Sequence, residues 1–480
     1  MQSKKDVIAW LDRNQGRFTD MADTLWANPE VAWEEFASSK LQADFLAAEG
    51  FAITWDLGGI STAFCAEAGS GAPIIGYLGE YDALAGLSQK RQPTQEPVVE
   101  GGPGHGCGHN LLGTGGLAAA VAVARWLQAT GTAGTVRYYG CPAEEQISGK
   151  AFMARTGAFD DLDAAFNFHP ANVNAASKGT CVGVNDLVFR FHGRTAHAGG
   201  APHEGRSALD AVELMNVGVN YLREHVTDKV RIHYVITDGG KLPNVVPDTA
   251  EVWYFVRALE RAEIEEVSER VRNCARGAAL MTDTTVEMRV RGACSRVLNN
   301  AHLAELQYEA MQRVGPIEFT AEEKAYAAQV NAAFPARNAD EMFAGWQPPP
   351  EERPRLEQLA REPLIGDNFP AWDADWVGTG STDVGDVSWI TPLSMLRTAC
   401  WATGAPGHSW GIVATGATSI GHKGMMHSAK VMAVAALDLY LDPEHLRAAR
   451  AELAAATNGT PYVCPIPADV DPPTRPHPLR

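Results

Sequence analysis

"VNDLVFRFHG", residues 184–193, alternates apolar and polar side chains as a half-buried strand does. Residues 206–225 then place apolar side chains at helical spacing. "VRIHYVITDGG" (230–240) and "TAEVWYFVRAL" (249–259) read as two strands joined by a turn rich in Gly, Pro and Asn. Residues 261–280 are helical in pattern, and "TTVEMRVRG" (284–292) closes the set. The order β-α-β-β-α-β is that of a ferredoxin-like α+β module.

The segments on either side differ from this module. Residues 19–50, "TDMADTLWANPEVAWEEFASSKLQADFLAAEG", read as helical segments closed by Gly50. "APIIGYLGEYD" (72–82) is a near-continuous apolar run, as expected of a strand covered on both faces. Residues 111–130 form a helix, "GTVRYYGCPAEE" (134–145) a strand leaving at a turn, and "DAAFNFHP" (163–170) a strand ended by its proline. This alternation belongs to the α/β class, and it resumes after about residue 296. The expectation is a discontinuous α/β domain, 1–182 and 296–480, with a mixed sheet flanked by helices. The module 183–295 is inserted in it. A further insertion or cap is expected near 316–378, where "AEEKAYAAQVNAAF" is helical and "QPPPEERPRLEQLAREP" is proline-rich. The tail, "PYVCPIPADVDPPTRPHPLR", carries too many prolines for a helix and reads as an extended or disordered arm.

Composition narrows the function classes. A net charge of −18 argues against a nucleic-acid or anionic-lipid footprint. No run of about 18 apolar residues is evident, so no membrane span is expected. The start, "MQSKKDVIAWLDRNQGRF", lacks a leader pattern, and the eight cysteines follow no disulfide framework. A cytoplasmic protein with free thiols is the expectation.

"GHGCGHN", residues 104–110, sets Cys107 and His109 two apart on a glycine-rich turn before a helix. Its glycines match neither a GxGxxG element nor a GxxxxGK[ST] loop, so phosphate binding is disfavoured. A lone Cys-x-His pair is weak evidence for metal. Glu144 and Glu145 would ordinarily be a solvated turn, and His169 a rim residue. Together, at strand ends of one sheet, the five could bind one or two transition metals with a carboxylate left for proton transfer.

Five strings in order, "CGHN", "CPAEEQ", "FHP", "FHGRTAHAGGAPHEGRSALDAV" and "PNVVPD", resemble the aminoacylase and amino-acid-conjugate amidohydrolase family of dinuclear metallopeptidases. "GEYDALAGLSQ", "GHGCGHNLLGT" and "STDVGDVSW" resemble the branch of that family that acts on p-aminobenzoyl-glutamate and is associated with two-subunit assemblies. The resemblance implies a metal-dependent amidohydrolase whose inserted domain is a lid that dimerises.

By the same resemblance Cys107, His109, Glu145 and His169 are metal ligands and Glu144 is the general base. A last ligand histidine is expected among His408, His422 and His427. In the family it precedes an extended segment and then a final helix. "SWGIVATG" after His408 meets that pattern, whereas His427 would lie inside the helix, so His408 is chosen. Cys107, Glu145 and His408 would hold one divalent ion, zinc or manganese, and Cys107, His109 and His169 the other. Asp82 would orient a ligand. His197, on the lid, would stabilise the oxyanion, often in the partner subunit's site, and Asn244 would contact substrate. Arg257 and Lys241 are candidates to anchor a substrate carboxylate. Asn110 and Leu112 stand where many relatives have Asp and His.

The expected substrate is a small N-acyl or N-aroyl amino acid. The expected assembly is a homodimer through the lid, or a heteromer with a related subunit. The rival readings are a dipeptidase or aminoacylase with an apolar acyl pocket, a subunit inactive without its partner, and a structural zinc protein.

Overall fold

The computed structural model describes residues 1–480. Its strands, in chain order, are β1 (Ala52–Trp55), β2 (Phe64–Ser70), β3 (Ile74–Glu80), β4 (Gly134–Cys141), β5 (Ala164–Ala171), β6 (Asn174–Ala176), β7 (Thr180–Cys181), β8 (Gly183–His192), β9 (Arg231–Asp238), β10 (Thr249–Ala258), β11 (Thr285–Cys294), β12 (Asn368–Phe369), β13 (Val377–Gly378) and β14 (Leu393–Ala399). The first helices are α1 (Lys4–Ala27), α2 (Phe36–Ala48), α3 (His109–Thr130) and α4 (Gly149–Arg155). They are followed by α5 (Ala208–Leu222), α6 (Arg261–Thr282), α7 (Ala301–Val314), α8 (Ala321–Asn331), α9 (Ala339–Met342) and α10 (Arg353–Leu359). The last are α11 (Val384–Ser388), α12 (Trp410–Gly416), α13 (Ser419–Leu441) and α14 (Pro443–Thr457).

Eight strands form a mixed sheet in the order β1-β2-β4-β3-β5-β14-β6-β12. Its centre, β4-β3-β5-β14, is parallel, so the ends of these strands open along one edge. One face packs on α1, α3, α7 and α13 in the largest apolar core. Phe152, Met153 and Phe159, with Val384 and Val387, cover Leu78, Tyr139 and Ala165 on the other. A parallel sheet needs both faces covered, which explains the apolar run of β3.

Helix α3 shows how closely these layers approach. A Cβ on Gly113 would lie 2.5 Å from the Glu80 carbonyl oxygen, so only glycine lets the helix rest on β3. The helix is apolar all round, and an all-apolar helix is a buried one. Contrary to the expectation from the sequence, it is long and apolar enough to cross a membrane; 89% of that window is buried inside the protein.

The inserted module builds its own sheet, β11-β8-β10-β9, every pair antiparallel. In chain order this is 4-1-3-2, the ferredoxin-like arrangement. Met215 and Val219 of α5 and Val267 and Val271 of α6 pack on Phe189, Phe191, Val252 and Tyr254. The strand β9 is left as an edge.

Two local expectations need correction. Strand β5 does not stop at its proline but runs to Ala171. Past Phe166 it has β14 as its only partner, so proline is tolerated there as on an edge strand. "SWGIVATG" is not extended after His408: Trp410–Gly416 is helical, its Ile412 and Val413 buried. Burial on all sides outweighs the extended preference of so short a segment. The tail is an ordered arm without helix. Arg155 donates to the carbonyls of Pro467 and Val470, and Ile466 and His477 are buried.

In the 316–378 region, Phe343, Leu356, Ile365 and Phe369 form a small core with Val173 and Ala175. The segment ends on Trp376, which faces the cavity described next.

Candidate metal centre

The parallel strands deliver their side chains to one edge of the large sheet, where α/β sheets hold ligands. Asp82 follows β3, Glu144 and Glu145 follow β4, and His169 lies near the end of β5. Cys107 and His109 stand at the start of α3, either side of Gly108 in a left-handed conformation (φ 78°) that glycine adopts without strain.

Three triads of donor atoms converge, the atoms of each within 4.8 Å of one another: Cys107, His109 and His169; Cys107, Glu145 and His408; Glu80, His109 and Glu144. The first two share Cys107. Glu80 has no signal in the sequence beyond its place at the end of an apolar strand.

Neighbouring groups set the histidine tautomers. His109 Nδ1 lies 3.0 Å from both the carbonyl and Oδ1 of Asp82, so it donates there and leaves Nε2 aimed at the cluster. The other Asp82 oxygen accepts the Glu145 N–H at 2.8 Å, so one carboxylate places both residues. His169 Nδ1 is 2.7 Å from the Pro170 carbonyl, which turns its Nε2 to within 3.3 Å of Cys107 Sγ. His408, with its side chain 58% exposed, reaches Glu145 Oε2 at 3.6 Å from the open side.

The glutamate pair sits on a constrained turn. Ala143 (φ 57°) and Ile147 (φ 60°) flank it, both left-handed without being glycine, at about 1–2 kcal/mol each. Glu35, fully buried, accepts the Ala143 N–H at 2.8 Å and braces the turn. Nothing in the sequence marks Glu35.

Charge crowds this site. Burial first, and the nearby Glu80 charge second, push the Glu144 carboxyl well above its ordinary range. Burial raises Glu145 to about 7. Desolvation and the Glu145 charge push the Cys107 thiol up to about 12. His109 is raised well above the usual imidazole value, its interactions with Cys107 and Asp82 outweighing burial, while burial lowers His169 to about 4. His109 Nε2 and Glu145 Oε1 are buried without a hydrogen-bond partner. Surplus carboxylates, a thiol and unpartnered donor atoms form a set that fits divalent cations.

The cluster opens into a cavity of about 660 Å³, a size suited to a small molecule. Phe255 and Arg257 of β10 line it, so the inserted module closes one side. Arg257 Nη1 donates to Ser381 Oγ at 2.9 Å, and its Nε is unpartnered. His197 and Asn244 do not line it. They lie together on the lid, where the Ala198 N–H bonds the Asn244 carbonyl and His197 Nδ1 accepts from Gly199 and Gly200. Lys241 is exposed on the same turn. His422 is bonded to Asp23, and His427 is buried within α13. Asn110 donates to the carbonyls of Ala22 and Gly416, a packing role.

The architecture has solved counterparts. A dinuclear metal-binding peptidase of the M20 family from Bacillus subtilis superposes with a TM-score of 0.54 over 90% of this chain and 99% of that one, at 18% identity. Residues 182–281 match the family described as Peptidase dimerisation domain. Over 96% of its length this chain is 45% identical to a subunit of the p-aminobenzoyl-glutamate hydrolase of Escherichia coli (strain K12), covering 97% of that protein. The chain belongs to the M20 family of metallopeptidases. Another relative, the human Xaa-Arg dipeptidase, is 31% identical over 65% of this chain and 72% of its own. As an M20 protein the chain is a metal-dependent hydrolase of amide bonds, with a peptidase dimerisation domain in its inserted module.

Proposed function

We propose that this chain cleaves the amide bond of N-acyl or N-aroyl amino acids, p-aminobenzoyl-glutamate foremost, at the cluster around Cys107. The observation that carries this reading is the pair of triads sharing Cys107, with Glu144 beside them in an open cavity. Cys107, Glu145 and His408 would hold one cation, and Cys107, His109 and His169 the other, zinc or manganese in each case. Bound there, two such ions would supply Lewis acidity for the scissile carbonyl and the attacking water.

The remaining work belongs to side chains of the protein. Glu144 takes the proton from the attacking water and delivers it to the leaving amine. Asp82 fixes the His109 ring and the Glu145 backbone. Arg257 receives the substrate carboxylate.

His197 and Asn244 are supplied by the lid of a second subunit, because in their own chain they lie outside the cavity. Edge strand β9 exposes Tyr234, Val235 and Ile236, a surface suited to pairing two lids. The assembly is a homodimer or a heteromer; the E. coli relative is itself one subunit of its hydrolase. The functional division is 1–182 with 296–480 for catalysis and 183–295 for the lid, in agreement with the separate lid core. Eight free cysteines agree with a cytoplasmic setting.

The test is to purify the chain alone, quantify bound metal, and assay p-aminobenzoyl-glutamate with wild type and Glu144→Ala. Two metals per chain in both, with turnover in wild type alone, is the expected result. A protein without metal refutes the assignment. A metal-loaded but inactive wild type that gains activity with a related subunit identifies the heteromer.

A further inference from the structure

Arg397 is a second guanidinium in the cavity wall, and it comes from the other side of the site. It lies on β14, in parallel register with His169 of β5. Side chains in register on adjacent parallel strands project from the same face, one strand spacing of roughly 5 Å apart. Arg397 therefore rises beside a donor of the proposed metal cluster and into the same cavity. Its side chain is half-buried and makes neither a hydrogen bond nor an ion pair within the chain. Arg257 approaches from the lid and bonds only a hydroxyl, that of Ser381.

Two partly desolvated guanidiniums without a carboxylate partner, facing one cavity, are an unusual expense in a chain of net charge −18. We infer that Arg397 forms a second anion subsite, which receives the side-chain carboxylate of a diacidic amino acid such as glutamate. Arg257 takes the α-carboxylate and Arg397 selects the side chain. This deepens the amidohydrolase reading above and rests on it for the position of the scissile bond. A neutral or basic side chain at this subsite leaves the guanidinium unpaired, which is how a polar site rejects the wrong partner.

The experiment compares wild type, Arg397→Gln and Arg397→Lys, all metal-loaded, on p-aminobenzoyl-glutamate and its side-chain amide, p-aminobenzoyl-glutamine. The ratio of the two kcat/KM values should fall roughly 10- to 100-fold in Arg397→Gln, the size of one charge-assisted hydrogen bond. Arg397→Lys should recover part of it. Calorimetric titration with free glutamate and free glutamine repeats the comparison without turnover, and thermal melting checks the fold of each variant. A wild type indifferent to the γ-amide, or a preference that survives Arg397→Gln, overturns the inference. If free glutamate is preferred in an Arg397-dependent way but p-aminobenzoyl-glutamate is not cleaved, the subsite stands and the substrate assignment fails.

Discussion

Lys150 Nζ lies 2.6 Å from Asp383 Oδ1, and both side chains are wholly buried. The same ammonium is 2.7 Å from Glu80 Oε1, off the line of a hydrogen bond, and Asp383 Oδ2 accepts the Lys150 backbone N–H at 2.7 Å. One cation thus ties the end of β3 to the start of α4 and to a loop more than two hundred residues later. Removing it leaves two carboxylates facing each other without water. Lys150→Met is expected to cost about 3–5 kcal/mol, and adding Asp383→Asn should return part of that. Urea denaturation of the single and double variants measures both.

Asp82 acts by placement. Asp82→Asn keeps the size of the side chain but no longer holds His109 in one tautomer by charge. Metal affinity should fall about 10- to 100-fold. Competition against a chelator of known affinity reads this directly, and melting temperature in excess chelator separates it from unfolding.

Glu35 makes stability depend on pH. Burial, then the charge of Asp82, raises its carboxyl from 4.5 to about 8 in the folded protein. Below pH 4.5 both states are protonated and the contribution is whole. As pH rises toward 8 the unfolded chain ionises first, so stability falls by ~1.4 kcal/mol per pH unit across that window. Glu35→Gln should flatten this part of the profile. The difference between wild-type and variant unfolding free energies from pH 5 to 8 is the measurement, and parallel profiles would refute it.

Val235, 53% exposed on edge strand β9, tests the assembly. Val235→Lys should shift the protein toward monomer in sedimentation velocity, since a lysine on an open edge opposes pairing. If His197 serves the partner's site, turnover should fall with the dimer fraction and recover at high protein concentration. A monomer as active as wild type would return His197 to a purely local role.

What the sequence made legible was local. The alternation of "VNDLVFRFHG" and the helical spacing after it suffice for the inserted module, because all six of its elements fall in one continuous stretch of chain, from Gly183 to Cys294. Cys107, His109, Glu144, Glu145 and His169 could be singled out because each sits at a turn or strand end beside an apolar run. Glu80, Lys150 and Asp383 could not, since their meaning lies in a contact between segments far apart in the chain. Arg397 is one arginine in a short strand, and only the register with His169 gives it a direction. "SWGIVATG" misled for the same reason: its helical form comes from what surrounds it.

The apolar helix α3 has a consequence for how the protein is made. Its main cover, α13, begins at Ser419, some 290 residues after α3 ends at Thr130. At a synthesis rate of roughly 5–20 residues per second, the ribosome needs about 15–60 s to supply it. Helix α1 is already present and shields one side. Strands β3, β4 and β5 cover a second side early, but the face that α13 will cover stays a greasy surface on the growing chain, and it should recruit chaperones at the ribosome until α13 emerges.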